Sequence, residues 1–208
     1  MKLYYAPGAC SLATRISLHE AGLAAKFERV DLKTKATESG ANYVAINPKG
    51  SVPMLVLDDG QAVTENVAIL TLVADLEPVF EPGNPLGRIR LIEMLSYLST
   101  ELHAAFRPLW HGGSEVEKLQ ASYAVAGRLD LLAGQVRELY LFGPRFTVAD
   151  AYLFVMLRWA IRAGIRPPIE LLGYYERVES RPSVRRALKE EGLSVDHPLP
   201  QTPLPMAS

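Results

Sequence analysis

The sequence comprises 208 residues, of which 49% are hydrophobic and 22% are charged, and its formal net charge is -1. This composition is that of an ordinary globular chain and excludes wholesale disorder, while the length allows one large domain or two small ones. The 22 basic residues are scattered along the chain, so there is no electrostatic footprint for nucleic acid or another polyanion.

The N-terminal residues predict a strand, a helix and a second strand. Residues 3–6 form a short strand-like run, Pro7-Gly8 breaks it, and Ser11 is a good N-cap residue for a helix that ends at Gly22. Residues 30–32 alternate as a strand does, so the two strands could lie parallel. That topology puts the turn after the first strand at the edge of a site.

The next segment predicts the rest of a sheet and a second helix. The polar stretch 33–51 reads as a connection with room for one short helix. A strand follows at 52–57, Asp58-Asp59-Gly60-Gln61 is a hairpin signal ahead of residues 62–63, and apolar residues from Val67 to Ala74 have helical spacing. The predicted order is strand, helix, strand, strand, strand, helix.

A linker and a helical second domain follow. Proline and glycine cluster between residues 78 and 87, and strand signals stop beyond them, which is typical of a domain linker. Helical spacing then runs over residues 86–106 and 119–136. We therefore predict a first domain over 1–77, a linker over 78–87 and an all-helical domain over 88–194.

The C-terminal part carries a helix start signal and a tail. Thr147-Val148-Ala149-Asp150 matches a capping box, with Asp in place of the usual Glu, ahead of helices expected near 148–163 and 182–191. Its expected role is stability rather than chemistry. Residues 195–208 are rich in proline and lack periodicity, so we predict an extended or disordered tail.

Secretory, membrane and disulfide signals are not found in the sequence. No hydrophobic stretch of secretory length follows Met1, and the longest apolar run, residues 151–157, is far shorter than the roughly 20 residues of a membrane helix. Cys10 is the only cysteine, which excludes an internal disulfide and a cysteine-clustered zinc site and fits a reducing compartment. We expect a soluble cytoplasmic protein without a bound metal.

Cys10 is the first candidate for chemistry. It precedes a predicted helix, whose N-terminal partial positive charge would favour a thiolate over a thiol, although free cysteine is also often simply buried. Ser11 is either the N-cap or a hydroxyl donor to a bound thiolate. Tyr4 and Tyr5 could offer a phenol, but strand alternation puts them on opposite faces, which favours packing.

Glu65-Asn66 stands directly ahead of a predicted helix, where backbone N–H groups bind anions. Asn66 could donate to a ligand carboxylate and Glu65 would suit an ammonium, a pair that matches an amino acid head group. The alternative, which the local pattern favours, is that the pair caps the helix. Val52-Pro53 opens a strand, and if its peptide bond were cis, the Val52 backbone would face a ligand.

His103, Lys35 and the two tryptophans carry weaker signals. A histidine near the end of a long helix is more often a surface or packing residue than a catalyst, and no histidine-rich metal spacing supports His103. Trp110 and Trp159 are more often core than pocket residues, and Lys35 would ordinarily be solvated. The sequence pattern alone therefore assigns no functional role to any of these four residues.

Several of these stretches together resemble the glutathione transferase family, and specifically its bacterial beta class. The matching stretches span most of the chain in order: residues 2–12 (KLYYAPGACSL), 37–40 (TESG), 45–53 (AINPKGSVP), 64–65 (TE), 67–69 (VAI), 101–103 (ELH) and 146–152 (FTVADAY). The resemblance implies an α/β thioredoxin-like N-terminal domain that binds glutathione and an all-α C-terminal domain.

The resemblance implies that these candidate residues all contact one ligand, glutathione. It implies that Cys10 lies at the glutathione sulfur, with Ser11 and His103 as its helpers. The implied contacts with the peptide part of glutathione are Lys35 at a carboxylate, Val52 through its backbone beside a cis Pro53, and Glu65 with Asn66 at the γ-glutamyl head. Many relatives carry serine, and some glycine, at position 66, so the head-group contacts are expected to differ while binding survives, because Asn can still cap and donate.

An electrophile pocket between the domains is also implied, a common place for a ligand. Its implied apolar wall comprises Ala9, Phe106, Trp110 and Trp159. Members of the family are dimers, so the resemblance further implies a homodimer in which Glu101 of the second subunit lies near the glutathione amine.

The function that the resemblance implies is the conjugation of the glutathione thiolate to hydrophobic electrophiles, a detoxification reaction with glutathione as co-substrate and no metal. One alternative is a glutathione-dependent thiol-disulfide reductase or peroxidase that works through a Cys10 mixed disulfide. Another is a noncatalytic ligand-binding module, since a fold does not by itself fix a function.

Overall fold

The computed structural model describes residues 1–80, 82–83, 85–136 and 138–193 of the chain. Its N-terminal part holds a five-stranded sheet with helices, and helices dominate the described residues that follow. In chain order the elements are β1 (Lys2–Tyr5), α1 (Ser11–Glu20), β2 (Lys26–Asp31), β3 (Ala36–Thr37), α2 (Tyr43–Ile46), β4 (Met54–Val56), β5 (Ala62–Thr64), α3 (Asn66–Leu76), a 3-10 turn (Pro78–Phe80), α4 (Gly87–Tyr97), a π-helical turn (Leu98–His103), α5 (Arg107–Trp110), α6 (Glu115–Ala133), α7 (Val148–Arg162), α8 (Ile169–Glu179) and α9 (Pro182–Glu190).

The strands of the sheet lie in the spatial order β3-β2-β1-β4-β5. β1 pairs parallel with β2 and antiparallel with β4, and both outer pairs are antiparallel. The predicted parallel pairing of the first two strands is therefore confirmed, with α1 as the crossover. β2 begins at Lys26, earlier than the predicted 30–32, because residues 26–29 pair one by one with β1.

The two tyrosines of β1 pack on opposite faces of the sheet, as the alternation predicts. Tyr5 belongs to the main hydrophobic core, whereas Tyr4 packs with Val30, Tyr43 and Met54 on the other face. Both side chains are buried. Their packing role is confirmed.

α1 is the most enclosed helix of the N-terminal part. Its residues 11–18 are all buried, and it packs against β1, α3, α7 and α9. Even Arg15 is buried, because its guanidinium lies over the rings of Tyr5 and Phe27, 4.0 and 4.1 Å from their centroids. The turn that leads into α1 is therefore attached to a rigid element.

α7 is the central helix of the helical part. Nearly all its residues are buried, as expected of a helix that is apolar on every face. Its start is fixed by the predicted capping box: the Asp150 carboxylate accepts the N–H and the hydroxyl of Thr147 at 2.8 and 2.7 Å. The same carboxylate accepts hydrogen bonds from the Leu141 N–H and the Tyr174 hydroxyl. This cap fixes a helix that contributes two side chains to the site.

The helical part differs from the prediction in two places. The expected helix over 86–106 contains the π-helical turn at Leu98–His103, so His103 ends a widened turn rather than a regular helix. The sequence does not predict α8, because Pro167-Pro168 and Gly173 obscure the helical spacing of its buried residues.

The domain limits at 77, 87 and 194 stay predictions, and the predicted tail at 195–208 lies outside the described residues. Within the predicted linker the chain forms the 3-10 turn at Pro78–Phe80. Among the described helices, none has both the length and the hydropathy that crossing a membrane requires.

Candidate active site

Cys10 ends the turn between β1 and α1 and faces the segment before β4. Its Sγ donates a hydrogen bond to the Val52 carbonyl at 3.5 Å, and the Val52–Pro53 peptide bond is cis. The cis bond that the resemblance implied is thus present. The Cys10 sulfur and the Val52 backbone, which are 42 residues apart in sequence, form one edge of the site.

Burial decides the protonation of Cys10. It raises the pKa of the thiol from its ordinary 9.0 to about 12, although the backbone N–H groups of Cys10 and Ser11 act in the opposite direction. The expectation of a thiolate at Cys10, drawn from the partial charge of the helix N-terminus, is therefore wrong for this structure. Loss of hydration outweighs the attraction of the helix end, so Cys10 carries its proton at neutral pH.

Ser11 stabilises the turn rather than facing a ligand in this structure. Its hydroxyl lies 3.3 Å from both the N–H and the carbonyl oxygen of Ala6 and is buried. The helix N-cap is Cys10, and Ser11 is the first helical residue. The expected N-cap role of Ser11 is corrected: its hydroxyl holds the two ends of the turn together.

Glu65 and Asn66 form the start of α3. Glu65 has a positive φ of 72°, unusual for a residue with a side chain, and its exposed carboxylate pairs with the Lys49 ammonium. Asn66 is the first helical residue, and the helix start has no hydrogen bond from a capping side chain. The capping role that the local pattern favoured is wrong, because the Asn66 Oδ1 instead accepts the Thr14 hydroxyl at 3.1 Å.

The Asn66 amide leaves one donor open. Its Nδ2 is buried and has no hydrogen-bond partner among the described residues. A buried unpaired donor carries a desolvation cost of about 1–3 kcal/mol, and such groups in native structures call for an explanation. A ligand acceptor at this position would remove the cost.

Tyr152, which ends the matching stretch 146–152 but was not predicted as a site residue, connects the candidates into one group. Its hydroxyl and the His103 Nδ1 are 2.6 Å apart and hydrogen-bonded. Burial raises the pKa of Tyr152, and the neighbouring Cys10 adds to that rise, while the nearby polar side chains of Ser99 and Asn66 oppose it. Cys10, Asn66, Tyr152 and His103 therefore form a contiguous cluster. In the sequence Tyr152 belongs to an apolar run that reads as core.

His103 is uncharged at neutral pH, because burial lowers the pKa of its imidazole. Its ring packs edge-on against Trp159, with centroids 4.9 Å apart. His103 thus borders both the Cys10 cluster and the aromatic wall.

The four residues expected in an apolar pocket lie together. Phe106 and Trp110 are stacked with centroids 6.4 Å apart, and Trp159 packs edge-on against both. Two cavities of about 220 and 210 Å³ flank this wall. The first is lined by Phe106 and His103, and the second by Ala9 and the turn before Cys10, with Trp110 and Trp159 lining both.

The turn that carries Cys10 is held from two sides by residues that the sequence did not single out. The Gly8 N–H donates to the Glu191 carboxylate at 2.8 Å, and the Trp159 Nε1 donates to the Gly8 carbonyl at 2.8 Å. Burial raises the pKa of Glu191 to about 7. α7 and the end of α9 therefore fix the position of the turn.

Lys35 and Glu101 do not join this group in a single chain. The Lys35 ammonium donates to the Gly50 carbonyl at 2.8 Å, close to the Val52 segment, and Lys35 has a positive φ of 59°. The Glu101 carboxylate is half-exposed and pairs with Arg128 at 2.8 Å.

Comparisons with known proteins give one answer. Residues 8–76 match the family model for the glutathione S-transferase N-terminal domain. Glutathione S-transferase GstA of Escherichia coli O157:H7 is 42% identical over 200 residues, a match that spans 93% of this chain and 100% of the relative.

Solved structures agree with that result. A bacterial beta class glutathione S-transferase from Sphingomonas chungbukensis is 46% identical, with a TM-score of 0.87 over 93% of this chain and 100% of the other. A sphingomonad glutathione S-transferase complexed with glutathione is 41% identical, with the same TM-score and the same shares covered.

Proposed function

Because the chain belongs to the glutathione S-transferase family, we propose that it joins the sulfur of reduced glutathione to hydrophobic electrophiles. The position of Cys10 carries the proposal. Its sulfur lies 3.5 Å from the Val52 carbonyl, and its neighbour Ala9 lines a cavity walled by Trp110 and Trp159. A glutathione that pairs with the Val52 backbone would have its sulfur beside Cys10 and directed at that cavity.

The start of α3 binds the γ-glutamyl head in this proposal. Its N-terminal backbone N–H groups favour a carboxylate, the open Asn66 donor supplies a further contact, and the exposed Glu65 carboxylate suits the ammonium. Lys35, near Gly50, is available for another carboxylate of the tripeptide. Each charged end of glutathione would thus meet a group of opposite charge or a donor.

Conjugation requires that the glutathione thiol lose its proton and that the resulting thiolate be stabilised and aimed. Cys10 suits the role of donor, because burial keeps its own proton in place at neutral pH. The N–H groups at the start of α1 add a second source of stabilisation. Uncharged His103, hydrogen-bonded to Tyr152, lies beside this group as a proton acceptor, and Ser11 acts indirectly by positioning the turn.

The raised pKa of Cys10 disfavours the reductase alternative. A mixed-disulfide mechanism needs Cys10 as a nucleophile, and only the thiolate attacks a disulfide. A pKa of about 12 leaves almost no thiolate at neutral pH. The structure therefore supports conjugation over disulfide reduction.

The proposal includes a cytoplasmic homodimer that removes toxic electrophiles. Four apolar side chains around the start of α4 are exposed, and a second copy of the chain would cover them: Leu76, Val79, Leu86 and Ile89. Glu101 of one subunit would then lie near the glutathione amine of the other.

Calorimetric titration of glutathione into the purified chain and into two variants tests the proposal. Glu65→Ala removes a proposed ligand contact, and Glu115→Ala is its matched control, because each glutamate is exposed and pairs with one lysine. We expect one glutathione per subunit, about tenfold weaker binding in Glu65→Ala and unchanged binding in Glu115→Ala.

Conjugation is then measured with chlorodinitrobenzene by following the absorbance of the thioether. The absence of saturable binding at millimolar glutathione would contradict the proposed site. Binding of glutathione without any conjugation would favour the noncatalytic binding module instead.

A further inference from the structure

The two cavities beside the tryptophan wall share a feature that a purely apolar pocket does not need. Each has one guanidinium in its lining, Arg107 in the first cavity and Arg162 in the second. His111 also lines the first cavity. Neither cavity has an aspartate or glutamate among its described lining residues.

Helix geometry places each arginine beside a tryptophan of the aromatic wall. Arg107 precedes Trp110 by three residues in α5, and Arg162 follows Trp159 by three residues in α7. Side chains three apart on a helix are neighbours on one face. A ring that packs against either tryptophan therefore has a guanidinium within reach of its substituents.

The charges of Arg107 and Arg162 are not neutralised within the described part of the chain. Neither side chain forms an ion pair or a hydrogen bond with a described residue. Other arginines of the described chain do, since Arg15, Arg128 and Arg181 each have a carboxylate partner. Two guanidinium groups without a partner among the described residues give both cavities a positive potential.

We propose that the preferred electrophiles of this enzyme are aromatic compounds that bear a carboxylate, with the ring packed against Trp110 and Trp159 and the carboxylate held by Arg107 or Arg162. The inference rests on the proposed transferase function and narrows its substrate class. Guanidinium groups recognise carboxylates with paired N–H donors and stack on aromatic rings, so one residue can contact both parts of such a substrate. An uncharged electrophile would gain only the packing.

The reaction on a chlorinated substrate is an aromatic substitution. The glutathione thiolate forms a carbon–sulfur bond at the ring carbon that bears chlorine, the carbon–chlorine bond breaks, and chloride leaves with the bonding electron pair. The thiol proton is accepted by the uncharged His103 and then passes to solvent. The carboxylate takes no part in bond making, so its contribution is to binding and orientation.

A matched pair of electrophiles separates the effect of the substrate's negative charge from the effects of its shape and leaving group. The para-chloro-meta-nitro derivatives of benzoate and of benzamide have the same leaving group and nearly the same shape, but only the benzoate is anionic at neutral pH. For each compound kcat/KM is divided by the uncatalysed rate constant with glutathione, which removes the difference in intrinsic reactivity. We expect this normalised efficiency to be higher for the benzoate, and we expect added sodium chloride to lower the ratio.

Four variants test whether the two arginines cause the preference for the benzoate. We expect Arg107→Gln and Arg162→Gln each to lower the benzoate-to-benzamide ratio, up to about fivefold, with the double variant lowest. Arg166→Gln, an exposed arginine that lines neither cavity, should leave the ratio unchanged. A ratio at or below one, or a ratio that both single variants and the double variant retain, would overturn the inference while the transferase function stands. If chlorodinitrobenzene is conjugated but neither of these two compounds is, only this inference is overturned; if none of the three is conjugated, the proposed function is overturned and this inference with it.

Discussion

The single cysteine makes the protonation of Cys10 directly measurable, because iodoacetamide can alkylate only one thiol in the chain. Burial raises the pKa of that thiol from 9.0 to about 12. At neutral pH this change lowers the thiolate fraction about a thousandfold, since each pKa unit is a factor of ten. The more basic thiolate is intrinsically about twentyfold more nucleophilic. We therefore expect the folded chain to react about fiftyfold more slowly than an ordinary cysteine thiol.

The assay is the alkylation rate of the folded chain from pH 6 to 10, quantified by mass spectrometry, with the guanidinium-unfolded chain as the reference. We expect the folded rate to keep rising to the top of this range, while the unfolded rate levels off near pH 9. An inflection near pH 7 in the folded chain would refute the reasoning. It would mean that the helix N-terminus outweighs burial, and it would restore the reductase alternative.

Three further predictions concern the surrounding framework. Asp150→Ala leaves the buried Leu141 N–H without its acceptor and the Tyr174 hydroxyl with only the Asp150 backbone carbonyl at 3.5 Å, so urea denaturation should show a loss of about 4 kcal/mol, and a loss below about 1 kcal/mol would contradict the role of the cap. Glu191 has a folded pKa raised above its ordinary 4.5 to about 7. It binds more protons folded than unfolded, so relative to Glu191→Gln the wild-type chain should lose about 3 kcal/mol of unfolding free energy as pH rises from 4.5 to 7. Urea titrations at both pH values measure this difference, and a constant difference would rule out the shift. Asn66→Ala removes the open Nδ2 donor and should weaken calorimetric glutathione binding about tenfold, whereas an unchanged affinity would remove Asn66 from the site.

Local signals predicted much of the fold. The Pro7-Gly8 break, the turn at residues 58–61 and the capping box at residues 147–150 are each complete within a few residues, and the structure contains all three features. β3 could not be predicted this way, because two residues have no periodicity and only their pairing with β2 defines the strand. α8 was missed for a related reason, since its buried face is recognisable only against the helices that cover it.

The properties of the site depend on contacts between residues that are distant in the sequence, and local patterns do not predict them. The helix start at Cys10 is visible in the sequence, but the desolvation that controls its pKa depends on partners distant in the chain, such as Val52. Asn66 looks like a cap until Thr14, 52 residues away, accounts for its amide oxygen. The aromatic wall was implied by family resemblance alone, because tryptophan in an isolated pattern favours the core.

The edge-on packing of Trp110 and Trp159 also gives the protein an optical property. These are the only two tryptophans in the chain, so all of its indole emission originates at the wall of the two cavities. One of the two indoles also donates to the Gly8 carbonyl and so reports on the turn before Cys10. A nitroaromatic ring that enters either cavity would quench this light directly. Stopped-flow fluorescence could thus time the arrival of the second substrate separately from bond formation, without any added label.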